Sequence, residues 1–278
     1  MIRIFSILAG LFFSVALLIS LGKGIASFAE EGLPQSVERS FYEHPKELKL
    51  ASDGAFGKFD KQQLQRGFQV YKEVCAACHS LRLVAFRDLK ALGYNEDEVK
   101  AIAAGFQVPG LDQATGEANM RPALATDYFP KPFANDIAAR AANNNAIPPD
   151  LSLMTKARED GSAYVYSLLT GYQAQPAKLL NAFPEAKTGP GLHYNPYFAN
   201  LNLAMAPPLT AEGQVTYGDG TKATVDQMSK DVSAFLVWTA EPTLQKRNQT
   251  GWPVVGFLLF ATILAYMAYR NIWAGRKH

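Results

Sequence analysis

The chain contains very little cysteine. Cys75 and Cys78 are the only two in 278 residues, and His79 follows them directly in the stretch YKEVCAACHSL. A structural zinc ion takes about four ligands, usually two cysteine pairs or one pair with two spaced histidines. A second cysteine pair is missing, and His44 and His193 do not have the spacing of a histidine pair. The shortage of cysteine therefore argues against a structural zinc site.

Three interpretations of the cysteine pair remain. A thioredoxin-like redox pair would begin a helix inside an alternating strand–helix pattern, which the flanking sequence does not show. A disulfide across so short a helical loop would be geometrically awkward. The third interpretation is covalent haem attachment, for which Cys-x-x-Cys-His is the direct signature. Cys75 and Cys78 would then bind the haem through their sulfurs, and His79 would be the proximal iron ligand.

Charged residues are also scarce at both ends of the chain. Residues 1–29 hold only Arg3 and Lys23 as charges, contain a long apolar run and end in Ser27-Phe28-Ala29 at the cleavage positions, which predicts a signal peptide. A retained membrane anchor is the alternative. Residues 252–269 contain no charge, and a spanning helix needs about 20 residues, so we expect a transmembrane helix over about 252–272.

The basic residues beyond this second apolar run set the expected orientation. Arg270, Arg276 and Lys277 follow it, so the positive-inside rule predicts a cytoplasmic C-terminus in a bacterial inner membrane. The predicted divisions are a signal peptide (1–29), a periplasmic haem-binding domain (30–245) and an anchor with a short basic tail (246–278).

The predicted exported domain is acidic. Of the 27 basic residues, two lie in the leader and five follow residue 245, which leaves 20 against 25 acidic residues, a net charge of −5. This balance argues against nucleic acid as a partner and suits a basic protein partner. Glu96, Asp97 and Glu98 form a candidate docking patch, or alternatively an ordinary solvated helix start.

Apolar spacing predicts a mainly α-helical domain. Leu64, Phe68, Tyr71 and Cys75 form one stripe on a helix capped by Asp60. The further predicted helices are DEVKAIAAGF (97–106), NDIAARAANN capped by Asn135, GSAYVYSLLTGY ended by Gly171, and VDQMSKDVSAFLVWTAEP opened by a Thr224–Gln227 capping box and ended by Pro242. Residues 107–134 and 173–210 are predicted as irregular loops, and 214–224 as a β-hairpin.

The spacing of residues alone does not identify which side chain would be the second axial ligand of the iron. The candidates are His44, His193, Met120, Met154, Met205 and Met228. Met154 and Met228 have core-like helical settings, and Met120 lies in a predicted loop. Met205, in NLAMAPPLT, has small neighbours and a stiff Pro207-Pro208 pair, and a thioether raises the potential of haem iron. An isolated methionine is nevertheless often a gap-filler.

The order of motifs resembles the cytochrome c1 family, the haem subunit of the cytochrome bc1 (ubiquinol:cytochrome c reductase) complex. The resemblance covers about residues 30–275 and rests on RGFQVYKEVCAACHSL, MRPALATDYFPKPF, ARAANNNAIPPDLSL, YVYSLLTGY, GLHYNPYFANLNLAMAPPL and the C-terminal anchor. It implies a class I c-type cytochrome domain, mainly α, with long loop insertions, a small β-hairpin and one C-terminal transmembrane helix.

The resemblance also implies roles for individual residues. Cys75 and Cys78 would attach one haem c, with His79 and Met205 as axial ligands. Arg121 would face a haem propionate, with a surface ion pair as the alternative. The positions expected to line the haem crevice are Tyr128, Asn143, Pro148 and Pro149, of which Tyr128 and Asn143 could equally be structural. His193 is expected to be a loop histidine bonded to backbone.

The function implied by the resemblance is transfer of single electrons from the Rieske iron–sulfur protein to a soluble cytochrome c. The expected partners are cytochrome b, the Rieske subunit and that soluble cytochrome c, in a dimeric complex within the membrane. The chain would not be an enzyme on its own. A cytochrome subunit of a terminal oxidase, and a haem peroxidase or gas sensor with an open sixth position, remain alternatives.

Overall fold

The computed structural model describes residues 2–32, 36–112 and 114–276. Lys277, part of the predicted basic tail, lies outside these residues. Helices make up most of the described chain, as predicted. They are α1 (Ile2–Glu31), α2 (Val37–Phe41), α3 (Lys61–Glu73), α4 (Glu96–Ala104), α5 (Asp136–Ala142), α6 (Met154–Ala157), α7 (Gly161–Thr170), α8 (Ala177–Ala182), α9 (Val225–Ala240) and α10 (Leu244–Trp273).

The helix starts follow their predicted caps. Asp60 accepts hydrogen bonds from the backbone N–H groups of Gln62 and Gln63, and Asn135 accepts one from Ala138. The Thr224 side chain accepts from the Gln227 N–H, but the Thr224 N–H donates to the Lys222 carbonyl instead of the Gln227 side chain, which donates to Asp231. The predicted capping box is therefore only half formed.

Within the described residues there are two short antiparallel hairpins, and neither is where the sequence predicted one. Strand β1 (Gln107–Leu111) pairs with β2 (Ala118–Pro122), inside a stretch predicted to be irregular. Strand β3 (His193–Tyr194) pairs with β4 (Asn202–Leu203) inside the second predicted loop. The hairpin predicted over 214–224 is wrong.

Side-chain bonds explain that error. The Asp219 carboxylate accepts a hydrogen bond from the Thr221 N–H and forms an ion pair with Arg66. The segment around Asp219 is therefore a turn tied to α3 rather than part of a strand pair. In the β1–β2 hairpin, by contrast, the Asp112 side chain accepts from the N–H groups of Ala114 and Thr115 and closes the connection.

The core forms where α3 crosses α9. Gly67 allows the close approach, because a Cβ there would overlap the Asp231 carbonyl on α9. Buried aromatic rings fill the crossing: Tyr71 and Phe235 lie 5.8 Å apart, and Phe235 stacks on Trp238 at 5.7 Å. This crossing fixes the C-terminal end of α3, from which the CXXCH motif continues.

A smaller apolar cluster organises the second long loop. Leu179, Tyr194 and Leu201 are buried there, and Phe41 of α2 packs against them. The N-terminal segment is further tied down by the Lys46 N–H, which donates to the Ser167 hydroxyl at 2.7 Å. The insertion is therefore an ordered part of the domain.

In the part of the chain that the structure describes, two helices, Arg3–Glu30 within α1 and Leu244–Trp273, are long and apolar enough to cross a membrane. Helix α10 begins eight residues before the predicted start of the transmembrane helix, directly after the turn at Pro242. Glu241 at this turn accepts from Arg247 at 2.7 and 3.0 Å and from Lys156 at 2.6 Å. The first turns of α10 are therefore held against the domain.

Candidate functional site

The CXXCH motif lies in a tight turn at the end of α3. A 3₁₀ turn, Cys75–Ala77, follows the helix. The Cys75 carbonyl accepts from the N–H groups of both Cys78, at 3.1 Å, and His79, at 2.9 Å. Both thiols are free, with Cys75 half-buried and Cys78 exposed. The backbone thus holds the two thiols and the imidazole within one compact turn.

His79 is held at its ring and at its backbone. Its Nδ1 lies 2.7 Å from the Pro149 carbonyl oxygen, and because a carbonyl only accepts, Nδ1 carries the proton. The other ring nitrogen, Nε2, is then the one with a lone pair to offer a metal. The buried Tyr71 hydroxyl donates to the His79 backbone carbonyl at 3.0 Å.

Asp150 positions the Pro149 carbonyl. Its carboxylate accepts from the Ser80 hydroxyl at 2.7 Å, the Arg82 N–H at 2.9 Å and the Ser152 N–H at 3.0 Å. Burial alone would raise the pKa of Asp150, but these hydrogen bonds to the ionised form lower it. Neither Asp150 nor Tyr71 was singled out as a site residue from the sequence. The Asp-x-Ser stretch after Pro148-Pro149 is a turn signal that could have indicated Asp150.

The protonation states fit haem attachment better than redox exchange. Burial, reinforced by the charge of Cys78, raises the pKa of the Cys75 thiol to about 12. A thioredoxin-like pair needs the opposite shift, since its attacking thiol must ionise near neutral pH. Burial also lowers the pKa of His79, although the hydrogen bond to Pro149 and the charge of Asp150 act in the opposite direction. The lowered pKa favours the neutral imidazole, which is the form that binds metals.

A zinc site finds no support either. Among the described residues no group of three or more His, Cys, Asp and Glu side chains could hold a metal ion. The donor set consists of two thiols in one turn and an adjacent neutral imidazole with Nε2 available, and the described chain holds no further ligand cluster. This set fits covalently attached haem and does not fit zinc.

Met205 lies half-buried in the second long loop. Its backbone carbonyl accepts a hydrogen bond from the Tyr172 hydroxyl at 3.1 Å, which ties the loop to the end of α7. A cavity of about 470 Å³ lies beside this contact, lined by Tyr172, Leu192, His193, Pro207 and others. The loop that carries Met205 is therefore anchored to the helical core.

The other candidate ligands have different settings. Met228 and Met154 are buried in the core, as their spacing predicted, and Met120 is 60% exposed on β2. His44 lies edge-on to the ring of Tyr42. His193 is in strand β3 rather than in an irregular loop, and its ring forms a T-shaped pair with that of Tyr172, with centroids 6.5 Å apart.

Of the residues predicted to line the haem crevice, some lie beside His79 and others have contacts elsewhere. Pro149 contacts His79 directly, and Pro148 precedes it. The Asn143 side chain donates to the Ala139 carbonyl at 2.7 Å and so extends the end of α5. Tyr128 is exposed and pairs by backbone with Ala85.

Arg121 forms the ion pair that was the alternative to a propionate contact. Its Nη1 and Nη2 bind the two oxygens of Asp127, at 2.7 and 3.0 Å. The Asp127 carboxylate thus engages both terminal guanidinium nitrogens of Arg121.

The acidic cluster at the start of α4 is largely engaged by neighbours. Glu96 pairs with Lys90 and Lys100, and Glu98 accepts from the Asn95 N–H in a capping box. Two lysines therefore offset part of the negative charge expected to serve as a docking patch.

Comparison with known proteins gives one consistent result. Residues 50–276 match the Cytochrome C1 family. The chain is 45% identical over 239 residues to cytochrome c1 of Rhodospirillum rubrum, covering 81% of this chain and 86% of the relative. It is 44% identical to the cytochrome c1 heme protein of Saccharomyces cerevisiae mitochondria, over 81% of this chain and 71% of the relative. It is also 44% identical to cytochrome b/c1 of Bradyrhizobium diazoefficiens, over 80% of this chain but 34% of that longer protein.

Proposed function

The chain belongs to the cytochrome c1 family, and on that premise we propose that it binds one haem c covalently. It would act as the electron-transfer subunit of a ubiquinol:cytochrome c reductase. The observation that carries the proposal is the CXXCH turn with the His79 Nδ1–H committed to Pro149. Haem, when bound, supplies an iron that alternates between ferric and ferrous states and so carries one electron.

The cysteines and His79 would hold the prosthetic group on one side. Cys75 and Cys78 would attach the haem through two thioether bonds, and His79 Nε2 would bind its iron. The hydrogen bonds from Tyr71 and to Pro149 hold the His79 backbone and ring in place. A fixed imidazole lowers the rearrangement needed when the charge of the site changes.

Met205 is the proposed second axial ligand. The Tyr172 hydroxyl holds its backbone, and Pro207-Pro208 stiffens the residues that follow. If Met205 and His79 both bound the iron, they would leave no position open for a substrate or a gas.

Arg121, Tyr128, Asn143, Pro148 and Pro149 are the proposed crevice residues. Pro149 has the strongest support because it contacts His79. Arg121 has the weakest, because a propionate would have to compete with Asp127 for the guanidinium.

The proposed setting is a bacterial inner membrane with the haem domain on the periplasmic side. Residues 1–29 are removed as a signal peptide, and α10 spans the membrane with its C-terminus in the cytoplasm. The partners are cytochrome b, the Rieske protein and a soluble cytochrome c, within a dimeric complex. A relative whose name joins b and c1 supports the first of these. The acidic domain would attract a basic cytochrome c at low ionic strength.

Absorption spectra of the purified chain, oxidised and reduced, test this proposal. We expect c-type haem bands, a weak far-red methionine–iron band in the oxidised form, and no carbon monoxide binding to the reduced protein without denaturant. Rapid carbon monoxide binding would indicate a vacant sixth position and contradict the electron-transfer role. Co-purification with oxidase subunits instead of cytochrome b would contradict the proposed complex.

A further inference from the structure

An ordered loop at residues 51–58, called here the Phe56 loop, projects from the core. The Lys58 N–H donates to the Ala51 carbonyl at 2.8 Å and closes it. The Asp53 carboxylate accepts from the Leu50 N–H, and Leu50 is buried in the main core. A Cβ at Gly57 would overlap the Ser52 carbonyl, so the closure depends on glycine. The loop therefore has a fixed shape.

The tip of the Phe56 loop contacts α10. The Trp252 indole N–H donates to the Ala55 carbonyl at 3.1 Å. The Phe56 ring stacks on the Trp252 ring, with centroids 5.1 Å apart and planes 14° apart. Phe56 still exposes 77% of its surface, and Trp252 exposes 48%. A large aromatic surface thus stays uncovered beside the anchor.

The position of Trp252 on α10 indicates what this surface faces. Trp252 begins the charge-free run, and Trp273 follows 21 positions later, which at 1.5 Å per residue is about 32 Å. This distance matches the roughly 30 Å hydrocarbon core of a bilayer, and indole rings concentrate at its two boundaries. Because Ala55 and Phe56 touch Trp252, they lie at the same depth.

The domain side of α10 is held at a second level. The Glu241 carboxylate binds both Arg247 of α10 and Lys156 of α6. Arg247 lies about one and a half helical turns before Trp252. The helix is thus tied to the domain both at Arg247 and at Trp252. The Phe56 loop therefore cannot change its depth independently of α10 without breaking these contacts.

We propose that the Phe56 loop is a second membrane contact of this chain, with the Phe56 ring in the lipid head-group boundary beside Trp252. The exposed Lys58 ammonium would lie near lipid phosphates, which attract basic groups. A single helix would leave the domain free to tilt, whereas a helix and a loop together fix its orientation toward membrane-bound partners. The inference rests on the proposed membrane anchor.

A site-specific fluorophore tests this contact in the full haem-loaded chain. Phe56→Cys provides a reactive thiol once Cys75 and Cys78 are in thioether linkage, and it is labelled with an NBD group. Ile137→Cys on α5 is the matched control, because Ile137 is an apolar side chain with 80% exposure. Both variants are placed in phosphatidylcholine–phosphatidylglycerol vesicles, with or without lipids carrying a doxyl quencher near the head group.

We expect blue-shifted emission and strong doxyl quenching at position 56, and neither at position 137. Equal quenching at both positions, or none at position 56 in chains that float with the vesicles, would overturn the proposal. Shielding of position 56 only after other membrane subunits are added would overturn it too and assign the surface to a protein. A chain that does not float with vesicles would instead contradict the proposed anchor.

Discussion

The buried ion pair between α3 and α9 offers a quantitative test of the core. Asp231 is fully buried, and its carboxylate accepts from Arg66 Nε at 2.9 Å, Arg66 Nη2 at 3.3 Å and Gln227 Nε2 at 2.9 Å. Asp231→Ala leaves the guanidinium without this partner, and removing one member of a buried pair costs about 3–5 kcal/mol. A loss of about 3 kcal/mol lowers the Tm of a domain of this size by roughly 6–12 °C.

Two further variants separate the buried pair from general effects of the substitution. Asp219→Ala removes the second carboxylate bound to Arg66, but this group is partly exposed and screened by solvent, so we expect a much smaller loss. Arg66→Met combined with Asp231→Leu should recover most of the stability, because an apolar pair replaces the two charges.

The measurement is urea unfolding of the haem-loaded chain in detergent, followed by far-ultraviolet circular dichroism. Equal losses of unfolding free energy for Asp231→Ala and Asp219→Ala would refute the reasoning. A double variant as unstable as Asp231→Ala would refute it too.

Three other predictions concern the site and the junction with the anchor. Met205→Leu should abolish the far-red band and lower the reduction potential strongly, as redox titration would show, with haem still attached. Tyr71→Phe should cost about 1 kcal/mol in urea unfolding, because the partly buried His79 carbonyl loses its donor. Hydrogen bonds from Arg247 and, to a smaller extent, Lys156 lower the pKa of the Glu241 carboxyl group to about 2. The ionised carboxylate therefore stabilises the fold above the pKa of about 4.5 that Glu241 has in the unfolded chain, and this stabilisation disappears as the pH falls from about 4.5 toward 2. Glu241→Gln should therefore lower Tm at neutral pH, with the difference from the parent chain vanishing over that acidic range.

Each of these three predictions has a clear contrary result. An unchanged spectrum in Met205→Leu would mean that the sixth ligand lies elsewhere. A Tyr71→Phe variant as stable as the parent would deny the importance of the bond to His79. A difference in Tm for Glu241→Gln that persists below pH 2 would show that the effect does not come from the ionised carboxylate.

Local signals in the sequence predicted local structure well. The caps at Asp60 and Asn135 begin the helices that they were expected to begin. The stripe through Leu64, Phe68 and Tyr71 is buried as its spacing indicated. Such features depend on neighbouring residues, so a single sequence contains them.

Features that depend on distant residues were missed or misplaced. The hairpin predicted over 214–224 failed because Arg66, far away in the chain, binds Asp219 there. The contact between His79 and Pro149 joins residues 70 positions apart, and the hydrogen bonds that position it converge on Asp150. Likewise, the contact of Trp252 with Ala55 spans 197 positions and has no local signature. These pairings arise only when the helices pack.

The most direct test of the central claim is mass spectrometry of the peptide that contains Cys75, Cys78 and His79. The purified protein is first washed with acidic acetone, which removes haem that is not covalently bound. The account predicts that the peptide keeps the mass and colour of one haem joined to both cysteines. A colourless peptide with two unmodified thiols would contradict it.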